Sequence, residues 1–209
     1  MIKAVIFDMD GVLIDAKEWH YEALNQALEL FGLSISRYDH LVTYDGLPTS
    51  DKLKMMSMER DLPYSLHKYI NELKQDYTIE RIQLNCKPMF IHEYALSRLK
   101  SDGYRLALAS NSVQKTIDIM MKNANLSPYL DFTLSNQDVS KAKPDPEIYN
   151  LAISRLGLVP EECLIVEDNK NGIAAAQASG GHVMEVLTVH DVNYENISRH
   201  IAIAEGRLP

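Results

Sequence analysis

Short apolar runs alternate with amphipathic stretches through the second half of this chain, and this alternation restricts the possible folds more than any other feature. After Pro88 the spacing predicts helices over about 89–101, 113–124, 145–156 and 171–179. Apolar runs between and after them predict strands over 104–110, 132–135, 163–168 and 182–187. Strands and helices that alternate with short connections form a parallel sheet with helices on both faces. We therefore predict an α/β fold with a Rossmann-like, doubly wound parallel sheet.

A stretch of different character separates the first strand from the others. Residues 2–7 form a short β-branched run, typical of a strand that is buried on both faces. Residues 17–31 have helical spacing, and residues 35–83 are rich in charge without a convincing strand, which indicates three or four further helices. We therefore predict two domains: an α/β core of residues 1–15 and 84–209, and an inserted all-helical cap of residues 16–83.

Two pairs of acidic residues follow buried strands of the predicted sheet. Asp8 and Asp10 follow the first strand, and Glu167 and Asp168 end a later one. Ligands of such sheets bind outside the carboxyl ends of the strands, so these carboxylates should lie together. Carboxylates at one edge repel each other unless a cation relieves them, and oxygen ligands suit Mg²⁺. The alternatives are that Asp10 and Gly11 form a plain turn and that Asp168 caps a helix.

Three further residues would complete a site for an anionic substrate. Lys143 lies in the stretch KAKPDP, two residues after another lysine and directly before the first of two prolines. This stretch follows a predicted core strand, so the ammonium group of Lys143 should lie near the acids. Ser110 and Asn111 follow the strand YRLALA and precede a helix, a position that suits donors to phosphate oxygens. Ordinary helix capping is the alternative explanation for Ser110 and Asn111.

Charge and composition exclude several classes of partner. The formal net charge of −8 disfavours nucleic acid or an anionic membrane surface as the main partner. The two cysteines, Cys86 and Cys163, have no metal-binding spacing and are expected to be reduced. No apolar stretch approaches the roughly 20 residues that span a bilayer. We therefore expect a cytoplasmic protein, either a monomer or a small homo-oligomer, that binds neither nucleic acid nor membrane.

Four motifs in order carry a resemblance to a known family. The segments are DMDGVLID, LALASNS, KAKPDPEIY and LIVEDNKNGIAAAQASG, and together they extend over nearly the whole chain. This order resembles the haloacid dehalogenase superfamily and, more narrowly, its β-phosphoglucomutase-like branch, which has a helical cap after the first motif. Members that cleave carbon–halogen bonds lack the second aspartate of the first motif. The presence of Asp10 therefore favours phosphate esters as substrates.

The resemblance implies a role for each matching residue. Asp8 would attack phosphorus to form an aspartyl-phosphate. Asp10 would protonate the leaving oxygen and then activate water. Ser110 would bind the transferring phosphoryl group, and Lys143 would balance its charge. Mg²⁺ would be bound by the side chains of three acids and one backbone carbonyl, namely Asp8, Glu167, Asp168 and the carbonyl group of Asp10.

The predicted cap bears on whether the enzyme is a phosphatase or a phosphomutase. His20 and Lys74 match residues of the family's cap that face the substrate, although a helical His or Lys is often only a surface residue. Where the mutase has an arginine that holds the second phosphate, this chain has Pro48 and Thr49, and threonine cannot replace that charge. We therefore predict a Mg²⁺-dependent phosphatase of a small phosphorylated metabolite. A β-phosphoglucomutase-like mutase is the alternative, and a non-catalytic protein of the same fold is a third possibility.

Overall fold

Five parallel strands form one sheet in the order β3-β2-β1-β4-β5. The computed structural model describes residues 1–44 and 46–208. The strands have these bounds: β1 Ala4–Phe7, β2 Arg105–Ala109, β3 Phe132–Leu134, β4 Cys163–Glu167 and β5 His182–Glu185. The sheet confirms the predicted α/β fold, and its strands are one or two residues shorter than the apolar runs.

The central strand β1 determines which residues meet at the carboxyl edge of the sheet. All four of its residues are buried, as expected for a strand covered on both faces. Phe7, its last residue, pairs with Leu108 of β2 and with Val166 of β4. The residues that follow these three strands, or that end them, therefore emerge side by side.

The chain divides into two compact units, Met1–Asp15 with Lys87–Pro209 and Ala16–Cys86. The first unit contains the sheet. Its helices are α5 Phe90–Ser101, α6 Gln114–Asn123, α7 Glu147–Leu156, α8 Lys170–Ala178 and α9 Tyr194–Ala204. Buried side chains of α7 and α8, such as Ile148 and Ala175, pack with one face of β1, β2 and β4 in a shared apolar core.

The second unit is helical in the described residues and has a core of its own. Its helices are α1 Lys17–Glu29, α2 Arg37–Val42, α3 Thr49–Arg60 and α4 His67–Asn85, with a short 3₁₀ turn at Tyr64–Leu66. Its buried core includes Leu28 of α1, Met56 of α3 and Ile70 of α4. Helix α4 continues to Asn85, so the predicted domain boundary between residues 83 and 84 falls inside this helix.

Two further observations complete the description of the fold. Helix α9 lies beyond the last predicted strand, where we predicted no element. Its buried Ile197 and Ile201 are four residues apart, which is the spacing of one helical face, and this signal was missed. No helix among the described residues is long and apolar enough to cross a membrane.

Candidate active site

Three carboxylates meet at the carboxyl edge of the sheet. Asp8 directly follows β1, Glu167 is the last residue of β4, and Asp168 comes next. Each offers an oxygen atom, and these three atoms lie within 4.8 Å of one another. Asp8 is 5% exposed and Glu167 is fully buried. The structure therefore brings together three of the four predicted acids, Asp8, Glu167 and Asp168.

Lys143 supplies a buried positive charge between two of these acids. Its Nζ donates hydrogen bonds to Asp8 Oδ1 and Glu167 Oε1, each at 2.7 Å, and to the backbone carbonyl of Ala109 at 2.8 Å. The lysine side chain is only 3% exposed. Charge-assisted bonds of this kind in a dry environment are strong and fix both partners.

Asn111 holds the backbone of the segment that contains Lys143. Its Oδ1 accepts a hydrogen bond from the backbone N–H of Lys143 at 3.1 Å, and its Nδ2 donates to the Lys143 carbonyl at 3.4 Å. The chain from β2 is thereby joined to the segment before α7. These bonds show that Asn111 positions the backbone of Lys143, and its role in phosphate binding stays a prediction.

The charge states of this cluster follow from burial and proximity. Burial raises the pKa of Asp8 well above its ordinary value, the Lys143 ammonium opposes this rise, and Glu167 and Asp168 add to it. Burial lowers the pKa of Lys143, but Asp8 and Glu167 raise it more, so the lysine remains an ammonium. One buried cation thus faces several carboxylates, and the cluster is short of positive charge.

Asp10 and Ser110 are joined through Ser112, a residue that the sequence analysis did not single out. Ser112 Oγ donates to Asp10 Oδ2 at 2.9 Å, and its backbone N–H donates to Ser110 Oγ at 3.1 Å. Ser110 is buried and Asp10 is half-buried. The motif ASNS placed Ser112 two residues after Ser110, but nothing in the sequence indicated which hydroxyl would face Asp10.

Tyr149 is the second residue that the sequence analysis missed. Its hydroxyl donates to Glu167 Oε1 at 2.5 Å and accepts from Lys143 Nζ at 2.7 Å. Burial, followed by the charge of Glu167, raises the pKa of Tyr149 well above its ordinary value, so the hydroxyl keeps its proton. The side chain lies on the first turns of α7, six residues after Lys143, and helical spacing alone could not show that it reaches both groups.

The remaining predicted site residues belong to the helical unit. His20 of α1 and Lys74 of α4 are in contact, with Lys74 Nζ 3.0 Å from His20 Nδ1. An ammonium group can only donate, so Nδ1 is the acceptor and His20 carries its proton on Nε2. Lys74 is 7% exposed and therefore is not a solvated helix lysine.

Comparisons with known proteins show the family of this chain. The model of the family described as haloacid dehalogenase-like hydrolase matches residues 5–186, which is most of the chain. This chain belongs to the haloacid dehalogenase-like hydrolases. The family assignment confirms the resemblance predicted from the four motifs.

Individual relatives place this hydrolase near phosphatases. It is 31% identical over 179 residues to a phosphorylated carbohydrates phosphatase of Thermotoga maritima, covering 86% of this chain and 82% of the relative. It is 28% identical over 179 residues to a phosphoglycolate phosphatase of Aquifex aeolicus, with coverages of 86% and 82%. A β-phosphoglucomutase structure from Clostridium difficile superimposes with a TM-score of 0.85 at 22% identity, covering 99% of this chain and all of that one. At that identity the structural likeness shows the fold alone.

The three carboxylates of this hydrolase fit a hard divalent cation. Oxygens within 4.8 Å of one another can be spanned by a single ion, and carboxylate oxygen is the donor that Mg²⁺ prefers. The shortage of positive charge around Asp8 also favours a bound cation. Burial raises the pKa of Asp8, and a cation would favour the ionised form of its carboxyl group. Asp8, Glu167 and Asp168 are therefore the side chains that would hold the ion.

Gly172 provides the space in which the Glu167 carboxylate lies. A Cβ added at Gly172 in α8 would overlap Glu167 Oε1 and Cδ. Glu167 cannot move away freely, since its Oε1 is bound by Lys143 and Tyr149 and its Oε2 accepts from the Asp168 N–H at 3.1 Å. A glycine at this helical position is therefore required by close packing rather than by backbone conformation.

We expect Gly172→Ala to lower both stability and activity. Displacing the Glu167 carboxylate breaks its bonds to Lys143 and Tyr149, and overpacking of this kind costs about 1–3 kcal/mol. Alanine is the better helix former by roughly 1 kcal/mol, which offsets part of this loss. Denaturant unfolding would show the net loss, and Gln177→Ala, an exposed position in the same helix, is the control. A Gly172→Ala variant with wild-type stability would mean that Glu167 can move without cost.

Proposed function

We propose that this hydrolase is a Mg²⁺-dependent phosphatase that cleaves phosphate monoesters of small metabolites through an aspartyl-phosphate on Asp8. The observation that carries the proposal is the buried contact between Lys143 and Asp8 beside two further carboxylates. A carboxylate nucleophile held against an ammonium group is arranged for displacement at an anionic phosphorus centre. The named phosphatase relatives support the same reaction class.

The first half of the reaction is a displacement at phosphorus. A carboxylate oxygen of Asp8 forms a bond to phosphorus while the bond from phosphorus to the ester oxygen breaks. Asp10 gives its proton to the departing oxygen, which leaves as an alcohol. Ser112 donates to Asp10 Oδ2 and thereby orients this carboxyl group.

The second half restores the free enzyme. Asp10, now ionised, accepts a proton from a water molecule as its oxygen attacks phosphorus. The bond from phosphorus to Asp8 breaks, inorganic phosphate leaves, and the Asp8 carboxylate is regenerated. Splitting hydrolysis into two displacements at one site lets the same positive groups serve both steps.

The remaining residues of the site position and neutralise the phosphoryl group. Ser110 would donate its hydroxyl to a phosphoryl oxygen, and the Lys143 ammonium would balance the negative charge of Asp8 and of that group. Asn111 maintains the position of Lys143 through its two backbone contacts. Mg²⁺, bound by Asp8, Glu167, Asp168 and the carbonyl of Asp10, would supply the further positive charge that phosphoryl transfer requires.

We propose that the helical unit serves as a substrate cap, with His20 and Lys74 binding the substrate. Lys74 and His20 form a polar pair within the helical unit, and the ammonium group suits an anionic or hydroxyl-rich metabolite. The threonine at position 49 argues against a mutase, because a second phosphate would lack the arginine that holds it in the mutase branch. The names of the relatives, a phosphorylated carbohydrates phosphatase and a phosphoglycolate phosphatase, fit small phosphorylated metabolites as the substrate class.

We also propose that the enzyme works in the cytoplasm as a monomer or small homo-oligomer, without nucleic acid or membrane partners. Both cysteines, Cys86 and Cys163, are free and buried. Burial raises the pKa of Cys163 to about 11, which keeps its thiol protonated and unreactive at neutral pH. The net charge of −8 opposes binding to polyanions.

The proposal is tested by phosphate release from a panel of sugar phosphates, polyol phosphates, phosphoglycolate and nucleotides. We expect release from a subset of the panel with Mg²⁺ and none with EDTA. Ca²⁺ should not restore activity, because its looser and higher coordination would misplace Asp8. Turnover that persists in EDTA would contradict the metal requirement. Interconversion of sugar phosphate isomers with a bisphosphate primer, without net phosphate release, would show the mutase instead.

A further inference from the structure

The Lys143 ammonium is surrounded by more acceptors than it has protons. Among the described residues, four oxygens lie within 2.8 Å of Nζ: Asp8 Oδ1, the Ala109 carbonyl, Tyr149 Oη and Glu167 Oε1. An ammonium group has three N–H donors. At any moment at least two of these oxygens must share one N–H donor. One of the four oxygens can therefore lose its hydrogen bond to Nζ while every N–H of the ammonium group keeps an acceptor.

Tyr149 is the neutral member of this group with both a donor and an acceptor. Its proton points to Glu167 Oε1 at 2.5 Å, so a lone pair of its oxygen is available to accept from Lys143 at 2.7 Å. Tyr149 thus contacts both sides of the Lys143–Glu167 ion pair and ties the two together. The tyrosine is fully buried in the core formed by α7, α8 and the strands, which gives its ring no room to turn away.

We propose that Tyr149 is a positioning residue that keeps Lys143 in place when the nucleophile Asp8 releases its hydrogen bond and turns to phosphorus. After that release, three N–H donors still face three acceptors, so the ammonium stays where the phosphoryl group arrives. Without the Tyr149 hydroxyl, Asp8 is one of only three acceptors, and its departure would leave a buried N–H of a charged group without a partner. The inference rests on the proposed role of Asp8 as the nucleophile.

Tyr149→Phe tests this role because it removes the hydroxyl and retains the ring. We expect kcat to fall at least about 10-fold, the effect of one charged hydrogen bond lost in the transition state, with KM changed less than about twofold. The matched control is Tyr194→Phe, which removes a tyrosine–carboxylate hydrogen bond of 2.7 Å to Asp102 in the same unit, outside the site. A Tyr149→Phe enzyme with kcat within twofold of the wild type would overturn the inference.

A second measurement separates this inference from the proposed function. The ¹⁵N signal of the Lys143 ammonium in the metal-free protein should be visible in slow exchange with water, because the group is buried and bonded. Tyr149→Phe should shift or broaden that signal, whereas Tyr194→Phe should leave it unchanged. An unchanged signal in Tyr149→Phe would overturn the inference even if the enzyme is an active phosphatase. A wild-type protein without phosphatase activity would overturn the proposed function, while the signal would still report whether Tyr149 holds Lys143.

Discussion

Asp8→Asn should abolish turnover while the protein remains folded. The amide has nearly the shape of the carboxylate but is not a nucleophile, and removal of a covalent nucleophile typically costs at least about a thousandfold in kcat. Stability in EDTA should not fall, because the change leaves Lys143 and Glu167 as a one-to-one buried ion pair at 2.7 Å. Burial already raises the pKa of Asp8, which means that its charge is costly in the folded protein.

The measurement is kcat with Mg²⁺ on the best substrate of the panel, together with denaturant unfolding in EDTA. Asp118→Asn, an exposed aspartate of α6, is the control for the same chemical change outside the site. Wild-type rates in Asp8→Asn would show that another group attacks phosphorus. A large loss of stability would contradict the expectation that the Asp8 charge is costly in the folded protein.

Lys143→Met should be the most destabilising single change in the site. The methionine fills a similar volume, but it leaves Asp8 and Glu167 buried without the ammonium that both contact. Breaking a buried ion pair by removing one partner costs about 3–5 kcal/mol. Activity should fall at least about a thousandfold, because the phosphoryl group loses a positive charge at its site of transfer.

The dependence of stability on Mg²⁺ and on pH distinguishes loss of the Lys143 charge from a simple loss of packing. Mg²⁺ should stabilise Lys143→Met more than the wild type, since the ion supplies the missing positive charge. Stability of the variant should also rise as pH falls. Burial raises the pKa of Asp8, and loss of the Lys143 charge would raise it further, so the folded protein takes up this proton at a higher pH than the unfolded chain.

Lys141→Met is the matched control for Lys143→Met. It lies two residues away in the same segment, but its side chain is 72% exposed and forms only a 3.7 Å ion pair with Asp145. Exposed pairs contribute roughly 0–1 kcal/mol, so this variant should resemble the wild type. Equal destabilisation of both variants would mean that the segment, and not the buried charge, is responsible for the loss.

The sequence by itself determined the fold class and the acidic centre. Period and spacing are local properties: an apolar run of four to six residues and a carboxylate at its end can be recognised without knowing their neighbours. The parallel arrangement then requires Asp8 and Glu167 to meet at one edge, because both follow or end central strands. The four motifs also sufficed to predict the family, which the family model confirms.

Only the tertiary structure decided how the charges around Asp8 are balanced. The sequence indicated that Lys143 lies near the acids, but the contacts of Tyr149 and Gly172 with Glu167 come from two different helices, and no local pattern indicated them. The same holds for Ser112, whose hydroxyl contacts Asp10 because β1 and β2 lie side by side in the sheet. Sequence patterns identify residues by their chemistry, whereas hydrogen-bond partners depend on distances that are set by packing of the whole sheet unit.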